Sequence, residues 1–307
     1  MQAVFAHQFL HDETIQQGEK KLLTSVDHFY TLYFHLLTFL PALKRFIAQK
    51  QEKQKRKFFP SKENLNPNTK FIENAVILQL ENNNQLNASQ EKYDWLWKDQ
   101  KDLFLNIMQD LYQKDFVQEY MNKPTRSYTE DKKFVLRLIR NFLVENTLLH
   151  WFLGEKNVYW ADDFNDAFLV YHKTLEIFSA NQDENYPIAK SLQTENMEDD
   201  LNFCIELYRK TIINSTFYDT LIEARLKNWE HERTVLMDRV LMRMAICEFL
   251  NFPSIPIKAS LNEYIELAKF YSSPKSSLFV NGVLDNVLID LKEQQLIVKT
   301  GRGLKIS

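Results

Sequence analysis

Glycine is the scarcest informative residue in this sequence, with five in 307 positions: Gly18, Gly154, Gly282, Gly301 and Gly303. A β-rich or doubly wound chain of this length needs many more turn glycines, and a phosphate-cradling loop needs two or three together. Only Gly301-Arg302-Gly303 brings two close, and no helix follows it, so nucleotide-loop enzymes are excluded. Cysteine is nearly absent too. Cys204 and Cys247 show neither metal-type spacing nor a secreted disulfide framework, which points to a reducing compartment. Long apolar runs are missing. The longest stretch without formal charge, residues 29–43, contains His35 and Pro41 and falls short of the roughly 20 residues needed to span a bilayer. It reads as a buried helix, and no membrane association is expected. No export signal opens the chain, so the cytoplasm is the expected location. An excess of positive charge is lacking as well. At a net charge of −3 any RNA site must be local or shared with a partner.

Apolar residues, by contrast, are plentiful. They make up 45% of the chain, with 23 Phe and 13 Tyr, too many for a disordered protein. The length suggests two helical bodies, or one body with a large insertion. Helical periodicity runs almost from end to end, predicting an all-α fold. Over residues 17–50, Leu22, Leu23, Val26, Phe29, Tyr30, Tyr33, Leu36, Leu37 and Leu40 form an i, i+3, i+4, i+7 stripe, the mark of a long core helix that contains Pro41. It runs into a basic segment at 50–57 before Phe58-Phe59-Pro60. That segment is either a solvated helix end whose charge suits the dipole or an RNA-facing patch.

From Tyr128 the chain repeats itself. A shift of 69 positions places Asp131, Phe134, Leu138, Arg140, Thr147 and Trp160 on Asp200, Phe203, Leu207, Arg209, Thr216 and Trp229 without a gap. A duplicated helical unit that stacks on its copy accounts for this register, and so does chance similarity of amphipathic helices. Trp160 and Trp229 read as structural anchors. Three regions follow: an N-terminal helical region at 1–127, a duplicated unit at 128–229 and a C-terminal helical bundle at 230–307.

In the last third, a helix over 230–250 ends at Phe252-Pro253-Ser254-Ile255-Pro256. Ser260 with Glu263 makes a capping-box pattern for the next helix, and Ser273-Pro274 an N-cap before a first-turn proline for the last. The search for chemistry finds none. His7 and His11 lie four apart but Gln8 follows His7 where a zinc protease needs its general base, and no histidine has a glutamate three positions before it. His231 beside Glu230 and Glu232 reads as a solvated helix start. Neither thiol has a nucleophile signature and no G-x-S-x-G exists. No catalytic residue, cofactor or metal is therefore expected, and a binding or scaffolding role is.

One ordered set of residues carries more. Asp238-Arg239 with Arg243, then Glu248, Pro256 and Lys258, Asn262-Glu263 with Ile265-Glu266-Leu267-Ala268-Lys269, and Phe279-Val280-Asn281-Gly282-Val283-Leu284-Asp285 follow one another over about 60 residues. In this order they resemble the C-terminal half of the NusB family of bacterial transcription antitermination factors. Met1-Gln2-Ala3-Val4-Phe5-Ala6 resembles the end of that family's first helix, and KTGRGL at 299–304 resembles the terminus of its long form. The region 1–127 would then hold the end of the first helix plus an enlargement. The resemblance implies NusB-like helical bundles with a large additional helical region. It also implies binding to boxA RNA and pairing with NusE, a small-subunit ribosomal protein, with the RNA polymerase elongation complex reached indirectly and no bond made or broken.

Carried over residue by residue, Lys258, Ser276 and Phe279 match positions on or near the RNA-binding face. Phe279 could offer a ring to an unpaired base or pack in the core, and the amides near Ser276 could receive phosphate. Phe5, Asp238 and Arg239 match positions toward the protein partner. Two departures stand out. The family's first helix opens with an arginine-rich segment, whereas this sequence opens after it, implying a start placed late or weaker direct RNA binding. Lys275 stands where the family often has an acidic residue beside the partner surface, which alters the interface charge. The alternative reading is a helical protein–protein scaffold of NusB fold without direct RNA binding, favoured by the net charge. An RNA-modifying enzyme of the kind fused to NusB-like domains lacks its glycine-rich loop here.

Overall fold

A computed structural model of the chain describes residues 1–10, 12–88, 94–188, 197–226, 235–273 and 275–304. Among these every regular element is helical. The longer helices are α1 (Gln2–His7), α2 (Ile15–Lys55), α3 (Ala75–Asn82), α4 (Lys101–Tyr112), α5 (Asp115–Asn122), α6 (Tyr128–Leu138), α7 (Thr147–Lys156), α8 (Phe164–Glu176), α9 (Met197–Ile213), α10 (Ser215–Leu226), α11 (Leu236–Asn251), α12 (Ile257–Tyr271) and α13 (Ser276–Glu293). His11, Trp229, His231 and Pro274 lie outside the described residues.

Packing divides the chain into two compact units, one made of Met1–Thr24 with Asn196–Ser307 and the other of Ser25–Glu195. These boundaries differ from the three sequence regions. The reason is that α2 runs without a break through position 24, so no composition change marks the transition.

The unit formed by Ser25–Glu195 is built around α2. Leu32, Tyr33, Leu36, Leu37, Phe39, Leu40 and Leu43 are buried, more of the helix circumference than a surface helix hides. Trp160 behaves as the expected anchor: it is buried and its indole N–H donates to the His28 carbonyl at 2.9 Å. Trp97 donates to the His35 carbonyl and to Thr38 Oγ1, both at 3.0 Å. A buried polar knot ties α3, α5 and α6. Asn74 Oδ1 caps α3 by accepting from Val76 and Ile77, while Asp131 accepts from the Tyr120 hydroxyl at 2.7 Å and the Ala75 amide at 2.8 Å. Every buried group in the knot gains a partner, which removes the cost of its desolvation.

In the other unit α11 is central. Val240, Leu241, Met242, Ala245, Ile246, Cys247 and Phe249 are buried, and α1, α9, α10, α12 and α13 all pack on this helix. The 69-residue shift also survives at the level of elements. Tyr128 and Met197 open α6 and α9, and α7 and α10 begin one position from register. Leu138 and Leu207 are buried at matching places, as are Leu153 and Ile222. The two helix pairs belong to different units, each contributing to its own core.

Two helix starts differ from expectation. Helix α12 begins at Ile257 with Pro256 as N-cap, so Ser260 lies inside the helix and is not a cap. Its hydroxyl bonds to the buried Glu248 carboxylate and lies near the Pro256 carbonyl instead. Helix α13 begins at Ser276 with Lys275 as N-cap, and no side chain caps it.

Candidate functional site

The residues singled out in the last third gather on α11 and on the α12–α13 hairpin. Helix α11 supplies three charged side chains that are buried, Asp238, Arg243 and Glu248. Each is held. Glu248 accepts from Ser260 Oγ and from the Tyr264 hydroxyl at 2.9 Å, and burial beside this carboxylate pushes the Tyr264 phenol well above its ordinary range. Arg243 grips Asp219 of α10 with a two-pronged contact, Nε to Oδ1 at 2.7 Å and Nη2 to Oδ2 at 2.5 Å. Its remaining Nη1 donates to Gln8 at the end of α1, 2.8 Å away. One guanidinium thus joins α1, α10 and α11, the fork geometry that a lysine could not reproduce.

Asp238 sits in the first turn of α11 and accepts from Ser272 Oγ and, at 2.9 Å, from Ser276 Oγ. Ser273 reinforces the cluster, its hydroxyl 2.8 Å from Ser276 Oγ and its amide donating to the same atom at 3.2 Å. The Ser276 amide donates to the Ser273 carbonyl at 2.9 Å. The arrangement places two of the expected contacts inside: Ser276 is only 2% exposed with hydroxyl and amide both committed, and Asp238 is 3% exposed. Both fix the connection between α12 and α13. A carboxylate buried 34 residues from its first serine partner is invisible to local pattern reading, and the serine-rich connection was the only signal.

The other expected contacts face outward to different degrees. Lys258 and Lys275 are exposed, Phe279 is half-buried against the core, and Arg239 is half-buried with its Nη1 3.4 Å from Glu223 and 3.8 Å from Asp219. Phe5 is half-buried on α1, its ring 5.2 Å from that of Phe9. Lys258 lies in the first turn of α12, whereas Lys275 and Phe279 stand at the start of α13. Because α12 rises about 1.5 Å per residue, the two groups lie on the order of 20 Å apart along the hairpin. The structure therefore lines them along a face and does not converge them on a point. Sequence reading missed the apolar surface at the α13 end, where Phe270 (80%) and Leu278 (78%) are exposed.

The tail closes the far side. Lys299 Nζ donates to the Phe252 carbonyl at 2.9 Å at the end of α11, and the Thr300 amide donates to the Pro253 carbonyl at 2.9 Å. Gly303 is buried over the same turn. Among the described residues no cluster of three or more metal-ligating side chains occurs, and no helix is long and apolar enough to cross a membrane.

Residues 169–288 match the model of the NusB family. Three curated relatives carry the name transcription antitermination protein NusB. That of Salinibacter ruber is 47% identical over 103 residues, that of Chloroherpeton thalassium 36% over 135 and that of Koribacter versatilis 38% over 94. The matched stretches make up 34%, 43% and 31% of this chain and 64% of each relative. No solved structure matches the chain.

Proposed function

We propose, from the NusB-family domain that this chain carries, that the protein acts in transcription antitermination, binding boxA-type RNA together with NusE. The observation that carries this reading is the match of residues 169–288, which contains the hairpin bearing Lys258, Lys275 and Phe279. Lys258 supplies a cation to the RNA backbone, and the Phe279 ring, on the first turn of α13, meets an unpaired base. Asp238, Ser272 and Ser276 hold that turn in place without touching RNA. Spread along about 20 Å of hairpin, such contacts suit an extended single strand of a few nucleotides. The protein partner is assigned to the surface of Phe5, Arg239 and Lys275, with the exposed Phe270 and Leu278 nearby in sequence. The elongation complex is reached through that partner, and no bond is made or broken.

The test is fluorescence anisotropy of labelled boxA RNA titrated with the chain, with NusE and with both, at low and moderate salt. Tight binding with both proteins, weakened about tenfold by Phe279→Ala and made less salt-dependent by Lys258→Ala, is the expected result. Association with NusE but no RNA binding at any salt overturns it in favour of a protein–protein scaffold, the reading that a net charge of −3 supports.

A further inference from the structure

The end of α2 carries a feature that the NusB-family domain does not use. Lys53 and Lys55 occupy the last turn, Arg56 and Lys57 follow the helix end, and Phe58 and Phe59 come next, 91% and 86% exposed. The helix dipole accounts for the two cations in the last turn, since the effect fades within one turn. It does not account for the rest. Lys55 is paired with Glu52 at 2.8 Å, Arg56 lies within electrostatic reach of the same carboxylate and Lys50 leans onto Met108, but Lys53, Arg56 and Lys57 are exposed and none of the three forms a close ion pair among the described residues. Within 50–57 five cations face one carboxylate, on a chain whose net charge is −3. The positive charge is therefore concentrated here against the balance of the molecule.

The two rings add chemistry to that charge. Each forgoes about 1.5–3 kcal/mol of burial, and adjacent exposed aromatics are harder to dismiss than a single exposed residue. Their centroids are 4.8 Å apart with planes at 88°, edge against face, so the pair keeps open ring faces pointing in two directions. Cations that track a phosphate backbone, interleaved with rings on which bases stack, make a single-stranded nucleic-acid platform.

We propose that the α2 end, through Lys53, Arg56, Lys57, Phe58 and Phe59, is a second single-stranded RNA contact, located in the Ser25–Glu195 unit. For its class of ligand it rests on the RNA-binding reading above, but its residues belong wholly to the other unit. An anionic lipid surface would also attract the cations. The crossed rings, followed by the polar Ser61, Asn64, Asn66 and Asn68, offer too small an apolar face for insertion and suit nucleotides better.

The experiment is ultraviolet cross-linking of the full chain to a single-stranded oligo-uridine of about 12 nucleotides, with the linked peptides mapped. It is paired with binding titrations of Phe58→Ala/Phe59→Ala and Lys53→Glu/Arg56→Glu/Lys57→Glu variants. Cross-links at 53–59 are expected, together with about a tenfold loss of affinity for the alanine pair and a larger, salt-sensitive loss for the charge reversal. Because these side chains are exposed, unchanged circular dichroism is the folding control. Cross-links confined to 257–291, with both variants binding normally, overturn this proposal and leave the reading of the hairpin intact. Cross-links confined to 53–59 support it and remove RNA from the hairpin. Sedimentation with phosphatidylserine vesicles that depends on the same residues, without any RNA effect, also overturns it.

Discussion

Replacing Asp238 by alanine separates a positioning role from a contacting one. The substitution removes the acceptor of two hydroxyl hydrogen bonds, and bonds to a charged group contribute about 1.5–3 kcal/mol each. Two effects reduce the sum. A buried carboxylate no longer has to be desolvated, and the orphaned serines retain each other, with Ser276 Oγ 2.8 Å from Ser273 Oγ and 2.9 Å from Ser272 Oγ. The expected net loss is about 2 kcal/mol, a roughly thirtyfold rise in the opening equilibrium of the first turns of α13. A global melt would blur it, because two units need not unfold in one step. Tryptophan emission would be dominated by the other unit, since four of the five tryptophans, Trp95, Trp97, Trp151 and Trp160, fall within Ser25–Glu195. Native-state hydrogen exchange read peptide by peptide is the appropriate assay: protection should fall over 272–284 and at the start of α11 and hold elsewhere. Asp238→Asn, which keeps one acceptor, should lose about half as much. Unchanged protection for Asp238→Ala, combined with loss of NusE binding, would refute the reasoning and return Asp238 to the partner surface.

Two further outcomes follow from geometry and charge. A methyl group added at Gly303 would lie 2.0 Å from the Pro253 carbonyl oxygen, so Gly303→Ala must displace backbone. It should cost about 1–3 kcal/mol, seen as faster exchange at the end of α11 where Lys299 caps the carbonyls. Asp163, the N-cap of α8, has its carboxyl raised to about 6 by burial, with Asp162 and Asp166 adding repulsion. A raised acid contributes stability only while protonated, below the unfolded value of 3.8, and loses it as pH rises through about 6. Asp163→Asn should therefore match the parent below about pH 4 and exceed it by about 1 kcal/mol above pH 7, after discounting for solvent screening. Urea titration followed by Trp97 and Trp160 emission checks it, and a gap that does not vary with pH would count against it.

Helices and their faces were legible because apolar spacing is a local signal. The stripe through Leu36 and Leu40, the anchor at Trp160 and the all-α class needed nothing beyond it. Which polar residues turn inward was not legible. Ser260, Ser273 and Ser276 all sit near helix starts, and only the packing of α11 against α12 and α13 shows that Glu248 and Asp238 claim two of them. The limits of the units were hidden for a related reason. A helix of 41 residues carries no mark of where its neighbours change from one core to the other. The ordered family residues identified the hairpin, yet of the seven contacts inferred from them two, Asp238 and Ser276, are buried in the connection between its helices and three, Phe5, Arg239 and Phe279, are half-buried.

The unit that holds most of the matched residues is assembled from two pieces of chain, Met1–Thr24 and Asn196–Ser307, with residues 25–195 between them. Such a discontinuity imposes an order of birth. As the chain leaves the ribosome, α1 emerges early but its packing surface on α9 and α11 does not yet exist, whereas the intervening unit can complete itself. If that unit folds first, it shortens the span that α1 must bridge; if it does not, closing a loop of about 170 residues costs on the order of 4–5 kcal/mol beyond the length-independent part. Lesions in α3–α7, which precede the matched residues 169–288, would then delay or expose that region during synthesis.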